Sequence, residues 1–231
     1  MAPLHAYIRA CECLPHIAYR LDFQQWRAVT KEQKDQVTKQ KFRIQEEFRK
    51  ETGLIIDKPR SGGSGTSTDG NTARRFFRQP EVTARITGID ETLIHRFAVI
   101  LRALNCGAEI NVAKFREYAL ETYQVYVASY SWYYMPQSIH KILIHGAEVI
   151  ETSILPVGML SEEAQETRHR DLRSFRQHFT RKCSRESTME DLFNRLLVTS
   201  DPRISSLRRC SKKTQERESD EVSALILTES S

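Results

Sequence analysis

DETLIHRFAVILRALN, residues 90–105, decides the fold class that this sequence predicts. Its apolar residues recur every three or four positions, which is the spacing of one face of an α-helix. Asp90 is a typical N-cap, because its carboxylate can accept a hydrogen bond from a backbone N–H of the first turn. The stretch therefore predicts an amphipathic helix with one buried face.

Helical spacing continues on both sides of this stretch. The other predicted helices are residues 4 to about 27, 31–51, 111–130, 136–150, 161–179 and 188–202. Asn111, Ser161 and Thr188 are their predicted N-caps, and Pro202 is a predicted stop. The tyrosines of the 111–130 helix and the SWYYMP segment after it are predicted core aromatics. The sequence predicts a mainly α fold.

Composition limits the class of protein. The chain has 231 residues, of which 39% are apolar and 28% charged, as in a soluble globular protein. No apolar run is long enough to span a membrane, so no membrane partner is expected. Five cysteines without a regular framework indicate a reducing compartment. Cys11 and Cys13 form C-x-C, which favours a buried helix over half of a zinc site.

Positive charge is concentrated near the C-terminus. Residues 168–185 contain seven Lys or Arg against the single acid Asp171, and RRCSKK follows at 208–213. Clustered cations can bind nucleic acid by neutralising phosphates and releasing counterions. A solvated helix face explains the same pattern equally well, so both interpretations stay open.

A glycine-rich segment, KPRSGGSGTSTDGN at 58–71, runs into ARRFFR at 73–78. Its composition predicts a loop, and it lacks the pattern of a phosphate-binding P-loop. Arginines beside aromatic rings can hold a nucleic-acid backbone. For Phe76 and Phe77 we favour the alternative, a short helix that places both rings in the core.

HKILIHG, residues 140–146, contains two histidines five positions apart. H-x4-H lies within the spacing of the histidine half of a zinc site, which needs two further ligands, typically a cysteine pair. The alternative is an ordinary helix with hydrogen-bonded histidines. Five residues turn a helix by roughly 140°, so an ideal helix does not aim both rings at one point.

Three acids open the helix predicted at 161–179. Glu162, Glu163 and Glu166 lie in its first turns, where the helix dipole stabilises carboxylates. That explanation is sufficient for all three. The alternative is that one of them binds a divalent cation beside the basic part of the helix.

The order of these motifs resembles one family. The motifs follow one another in this order: an early LH, a charged helix, a KP before the DGNTARRF loop, H-x4-H, Gly158, and a Ser-Glu-Glu-x-x-Glu helix with a basic continuation. Their order and spacing are similar to the C-terminal part of the recombination-activating gene 1 protein, the catalytic subunit of V(D)J recombinase, and to Transib-type transposases. The resemblance covers roughly residues 4 to 207.

The resemblance implies a transposon-derived, nuclear DDE-type recombinase that cuts and joins DNA. In that family two Asp and one Glu on an RNase H-like core hold two Mg²⁺ or Mn²⁺ ions, which activate water and then a DNA 3′-hydroxyl. Glu166, eight residues after Gly158, would be the catalytic, metal-binding glutamate, with Glu163 as the fallback. His140 and His145 would bind a structural Zn²⁺ together with an upstream C-x-x-C pair.

DNA is the principal partner that the resemblance implies, with a second copy of the chain and an accessory recombinase subunit as further partners. The implied DNA-binding residues are Asn71, Arg74 and Arg75 beside the loop, and Arg170, Arg173 and Arg176 on the basic helix.

The implied organisation has five parts. They are a helical linker region (1–56), a Gly-rich basic loop (57–78), a helical zinc-binding-type insertion domain (79–157), the catalytic-Glu helix with basic C-terminal helices (158–207) and a disordered tail (208–231). The two Asp and the C-x-x-C pair have no counterpart here, and Leu160 replaces a Trp. We therefore expect this chain to be the last part of a recombinase, with the RNase H-like sheet largely missing. We expect the chain to be catalytically inactive by itself. The alternative is a catalytically inactive helical module that binds DNA or protein.

Overall fold

A computed structural model describes residues 2–59, 66–207 and 219–227 of the chain. Helices predominate in these ranges, which confirms the mainly α prediction. The described residues contain no β-strand beyond two isolated bridges, which join Pro59 to Thr66 and Ile110 to Ile226. The chain divides into two compact units, Met1–Ser161 with Glu218–Ser231, and Glu162–Arg217.

The first unit contains most of the helices. They are α1 (Pro3–Ala18), α2 (Lys31–Thr52), α3 (Gly70–Arg78), α4 (Pro80–Thr87), α5 (Glu91–Asn105), α6 (Val112–Tyr130), α7 (Gln137–Glu151), a 3₁₀ turn (Val157–Leu160) and α11 (Asp220–Leu225). The second unit contains α8 (Glu163–His178), α9 (Arg185–Ser200) and α10 (Pro202–Ser206).

Helix α5 is the centre of the first unit. Asp90 caps it as predicted, accepting a hydrogen bond from the backbone N–H of Leu93 at 2.9 Å. Its apolar side is buried, with Phe97 and Ile100 almost inaccessible to solvent. The helix contacts α1, α3, α4, α6 and α11. The buried face expected from 90–105 is therefore confirmed.

The predicted loop at 57–78 contains a helix in its second half. The carboxylate of Asp69 accepts a hydrogen bond from the Thr72 N–H at 2.8 Å and so starts α3. Phe76 and Phe77 are buried, and the Phe76 ring lies 5.5 Å from that of Phe48 in α2. The core interpretation of these two rings is confirmed. Residues 60–65 of the loop lie outside the described residues.

The first helix is shorter than the sequence predicted. It ends at Ala18 rather than near residue 27, and residues 19–30 form turns that lead into α2. Gln33 of α2 holds this segment by accepting hydrogen bonds from the N–H groups of Val29 and Thr30 and by donating one to Gln25. These contacts from another helix compete with continuation of α1.

Most of the predicted core aromatics of α6 are buried or half-buried. Tyr126 and Tyr130 are buried, and Asp90 donates its backbone N–H to the Tyr130 hydroxyl at 2.9 Å. Tyr134, which lies beyond the end of α6 at Tyr130, is the exception at 70% exposed. For Tyr134 the prediction of a core position is wrong.

Residues 219–227 pack on the first unit, although a disordered tail was predicted over 208–231. Val222 and Leu225 of α11 are buried against Val99 and Ala103 of α5. The backbone N–H of Leu227 also donates to the Glu109 carbonyl at 2.8 Å. Burial of these apolar groups stabilises residues 219–227 on the first unit. The 208–213 basic cluster lies outside the described residues.

The second unit is held largely by polar contacts. Arg168 of α8 donates to the Thr199 hydroxyl and the Leu196 carbonyl of α9, at 2.9 and 2.8 Å. Its two long helices begin elsewhere than predicted: Glu162 precedes α8, and Ser184 caps α9 by accepting from the Ser187 N–H. The predicted caps Ser161 and Thr188 are therefore wrong, since each lies off the true boundary.

Candidate functional site

The two histidines of H-x4-H lie side by side on α7. Their ring centroids are 5.3 Å apart, at an interplanar angle of 58°, and both residues are exposed. The two Cα positions are separated by roughly 140° around the helix axis, and the side-chain torsions turn the rings toward each other. The two rings are therefore close, but their centroid distance does not show that both nitrogens point at one metal position, so the expectation that an ideal helix does not aim both rings at one point stays a prediction. Nδ1 of His145 also lies 3.3 Å from a carboxylate oxygen of Glu148.

The histidine pair offers two ring nitrogens, which are at most half of a zinc site. Within the described ranges, no group of three or more His, Cys, Asp or Glu side chains could hold a metal ion. Two imidazoles can occupy half of a tetrahedral zinc shell, and the other half must come from further ligands.

Cys11 and Cys13 are unsuited to complete that shell. Both are buried in α1, as the sequence predicted, and Sγ of Cys13 lies 3.7 Å from the Tyr126 hydroxyl. Burial raises the pKa of the Cys13 thiol to about 12 and raises that of Cys11 further. Because zinc binds the thiolate, burial of both thiols disfavours the form that binds metal.

The glutamates implied as catalytic ligands belong to α8. Glu163 is its first residue and Glu166 lies in its first turn, but both side chains lie outside the described part of the structure. The role of Glu166 therefore stays a prediction.

The residues implied beside the glycine-rich loop belong to α3. Asn71 and Arg75 are exposed, and Arg75 donates to the Thr52 carbonyl at 2.6 Å. Arg74 is half-buried, with its guanidinium carbon 5.5 Å from the centre of the Tyr7 ring. Arg74 and Arg75 thus both contact the protein itself, while Asn71 is exposed at the start of the helix.

Five arginines of the basic run in the second unit divide into two groups by their contacts. Arg168 is tied to α9, and Arg181 forms ion pairs with Asp191 at 2.9 Å and Glu190 at 3.0 Å. Arg181 also lowers the pKa of Asp191 through its hydrogen bonds. These two arginines serve the internal structure of the unit.

The second group is Arg170, Arg173 and Arg176. All three are exposed on α8, and no described carboxylate lies within ion-pair distance of any of them. Positions three apart in a helix are neighbours on its surface, offset by roughly 60°. The three arginines are therefore successive neighbours on the exposed surface of α8, and we call them the α8 arginine stripe.

Comparison with known proteins finds no matching family model and no matching curated protein. None of the helices in the described ranges is both long and apolar enough to cross a membrane.

Sequence reasoning missed Trp26, which lies near the end of the helix predicted over residues 4 to about 27 and, in the structure, in the turns at 19–30. Its side chain is 48% exposed and is stacked with Arg27. The adjacent Trp and Arg, followed by Lys34, were the available indication of an aromatic and basic surface.

Proposed function

We propose that this chain is a DNA-binding helical module and that the α8 arginine stripe contacts the phosphate backbone. The single observation behind the proposal is that Arg170, Arg173 and Arg176 are exposed without an ion pair to any described side chain. Arginines used for structure find a carboxylate or carbonyl partner, as Arg168 and Arg181 do. Arginines in a row without such ion pairs match a polyanion.

The dimensions of the stripe suit a nucleic-acid backbone. Successive residues of the stripe are separated by a helical rise of roughly 4.5 Å. An arginine side chain is long and can donate two parallel hydrogen bonds to phosphate. Contacts of this kind position a protein on DNA without selecting a base sequence.

We further propose that the module is of the recombinase type that the sequence resembles. In that hypothesis the chain is a nuclear, transposon-derived relative of V(D)J recombinase and Transib-type transposases, whose partners include a second copy and an accessory subunit. Glu166 would be the metal-binding glutamate for Mg²⁺ or Mn²⁺, and His140 and His145 would bind structural Zn²⁺. The approach of the two imidazole rings supports only the histidine part of this hypothesis.

The α8 arginine stripe is tested by replacing Arg170, Arg173 and Arg176 together with Gln. We expect affinity for duplex DNA to fall by about tenfold or more at moderate salt, because three phosphates are no longer neutralised. The slope of log K against log salt should decrease by about 0.9 for each of these phosphates. Fluorescence anisotropy of a labelled duplex, measured over a salt series, gives both quantities.

The matched control replaces Lys31, Lys39 and Lys50 with Gln. These lysines of α2 are exposed, make no ion pair in the described structure, and give the same change in net charge. The control should keep most of the affinity and of the salt slope. Equal reductions in both variants would show that net charge, and not the stripe, attracts DNA.

Zinc binding has its own test. We expect His140→Ala and His145→Ala each to weaken zinc affinity by about tenfold or more, because each removes one of two nitrogen ligands. Replacing Cys11 and Cys13 with Ala should leave zinc affinity unchanged, since the thiols are buried and protonated. Competition with a chromogenic chelator measures all variants. Loss of tight zinc binding in the cysteine variant alone would overturn the assignment to the histidines.

Protein binding is the second candidate function, and α9 favours it. Met189, Phe193 and Leu197 recur every four residues on this helix and are each more than half exposed. An apolar stripe of this kind is typical of a helix that docks on another protein. Salt separates the two functions, because apolar docking is insensitive to the salt that weakens phosphate binding.

A further inference from the structure

The turns at residues 19–30 and the start of α2 form a groove with an aromatic and cationic lining. The groove has a volume of about 740 Å³, and the lining includes Trp26, Tyr133, Arg20, Arg27 and Lys34. It lies wholly in the first unit, whereas the α8 arginine stripe belongs to the second. None of the described residues that line the groove is acidic.

The aromatic side of the groove is open to solvent. Trp26 of the lining is 48% exposed. Tyr134, which follows the lining residue Tyr133 and does not itself line the groove, is 70% exposed, and its ring centroid lies 6.1 Å from that of Trp26. Large exposed rings are costly to leave in water, so two neighbouring ones are unexpected unless something covers them. Flat bases stack on such rings whatever their identity.

The cations lie against the rings. The guanidinium carbon of Arg27 is 4.1 Å from the centre of the Trp26 ring, and that of Arg20 is 6.0 Å from the centre of Tyr133. Nε of Arg20 is buried and has no hydrogen-bond partner in the described structure. Rings and unneutralised cations in one groove can bind a planar group and a phosphate at the same time.

The groove is preformed. Gln33 holds the backbone at Val29 and Thr30, and Gln40 donates to the Asp22 carboxylate at 2.9 Å. Gln24 adopts a φ of 50°, which is uncommon for a residue with a side chain, and its backbone N–H donates to the Arg20 carbonyl at 2.9 Å. A segment held in this way loses little entropy on binding a ligand.

We propose that this groove binds a nucleotide, with its base stacked on Trp26 and its phosphate near Arg27, Arg20 and Lys34. Single-stranded nucleic acid and free nucleotides share this chemistry. The proposal goes beyond duplex binding by the α8 arginine stripe, because it assigns a different surface and a different form of nucleic acid.

The test uses the fluorescence of Trp26 in the full chain. The sequence has two tryptophans, so Trp132→Phe leaves Trp26 as the only one. We expect single-stranded oligothymidylate to quench this fluorescence, and an abasic strand of the same length not to do so. Thymidine monophosphate distinguishes a site for free nucleotides from a site for single strands. If the mononucleotide quenches at a nucleotide concentration similar to that of the strand, the groove is a free-nucleotide site. If only the strand quenches, the groove is a single-strand site.

Substitutions complete the test. Trp26→Ala should weaken single-strand affinity by about tenfold, whereas Trp26→Phe, which keeps a stacking ring, should weaken it less than about threefold. The triple Gln variant of the α8 arginine stripe should still show quenching of Trp26. Failure of the groove proposal can therefore be distinguished from failure of the proposal that the stripe binds duplex DNA. The proposal is overturned if neither the strand nor the mononucleotide quenches Trp26, or if the abasic strand quenches it equally. Because quenching is measured with Trp26 in place, the result does not depend on folding of the alanine variant.

Discussion

Phe76→Ala is expected to lower the free energy of unfolding of the first unit by about 3–5 kcal/mol. The Phe76 side chain is fully buried between two other rings, 5.5 Å from Phe48 and 5.0 Å from Phe77. Its removal leaves a cavity where α2 and α3 meet, and close-packed neighbours fill such a cavity only in part. Denaturant titration followed by tryptophan fluorescence measures the change in stability, since Trp26 and Trp132 both belong to this unit.

Phe42→Ala is the matched control for Phe76→Ala. Phe42 lies on α2 as well, but it is 66% exposed. Its removal should change the free energy of unfolding by less than about 0.5 kcal/mol. If the two variants are destabilised equally, Phe76 is not part of the core and α3 does not pack on α2 through this ring.

Gly158→Ala is the second substitution expected to have a large effect. A Cβ atom at this position would lie 1.8 Å from the carbonyl oxygen of Cys106 and 2.5 Å from its carbonyl carbon. Both atoms are backbone, so the 3₁₀ turn must move away from the end of α5. We expect the free energy of unfolding to fall by about 1–3 kcal/mol, which is typical of overpacking.

Gly107→Ala is the control for that substitution. It lies beside Cys106, but a Cβ atom there would meet only a side-chain atom of Met159, at an ordinary 3.9 Å. Stability should change little. Equal effects at both glycines would contradict the close approach at Gly158. Gly158 also has a place in the family resemblance, and the structure supplies a packing reason for a glycine there whatever the function.

Local patterns predicted the parts of the fold that depend on neighbours in sequence. The N-caps Asp90 and Asn111 were predicted, because a cap bonds to an N–H three residues away in the same chain segment. The buried face of α5 followed from its periodicity alone. In the second unit the same reasoning gave wrong caps. Ser184 caps α9 in place of Thr188, and Glu162 rather than Ser161 precedes α8, because local propensity alone does not fix a helix boundary.

Long-range contacts explain what the sequence patterns missed. Residues 219–227 were predicted to be disordered because a single apolar patch cannot bury itself, and the partners Val99 and Ala103 lie more than a hundred residues earlier. The first helix was predicted too long because Gln33 of the next helix holds the turns after Ala18.

The candidate sites were predicted in part. The sequence pointed to His140 and His145 as a pair and to the basic run as a polyanion surface. It could not show that the two rings lie 5.3 Å apart, because that distance depends on side-chain rotation. Nor could it find the groove at Trp26, whose lining comes from three separate segments of the chain.

The sequence by itself determined that this protein is mainly α-helical, where its principal helix is capped, and that its positive charge is concentrated after residue 167. Only the tertiary structure decided which of those charges are available. Arg181 is neutralised by Asp191 and Glu190 of the following helix, while Arg170, Arg173 and Arg176 meet no described carboxylate. The reason is that helix formation depends on near neighbours, whereas burial and ion pairing depend on side chains that folding brings together from separate elements.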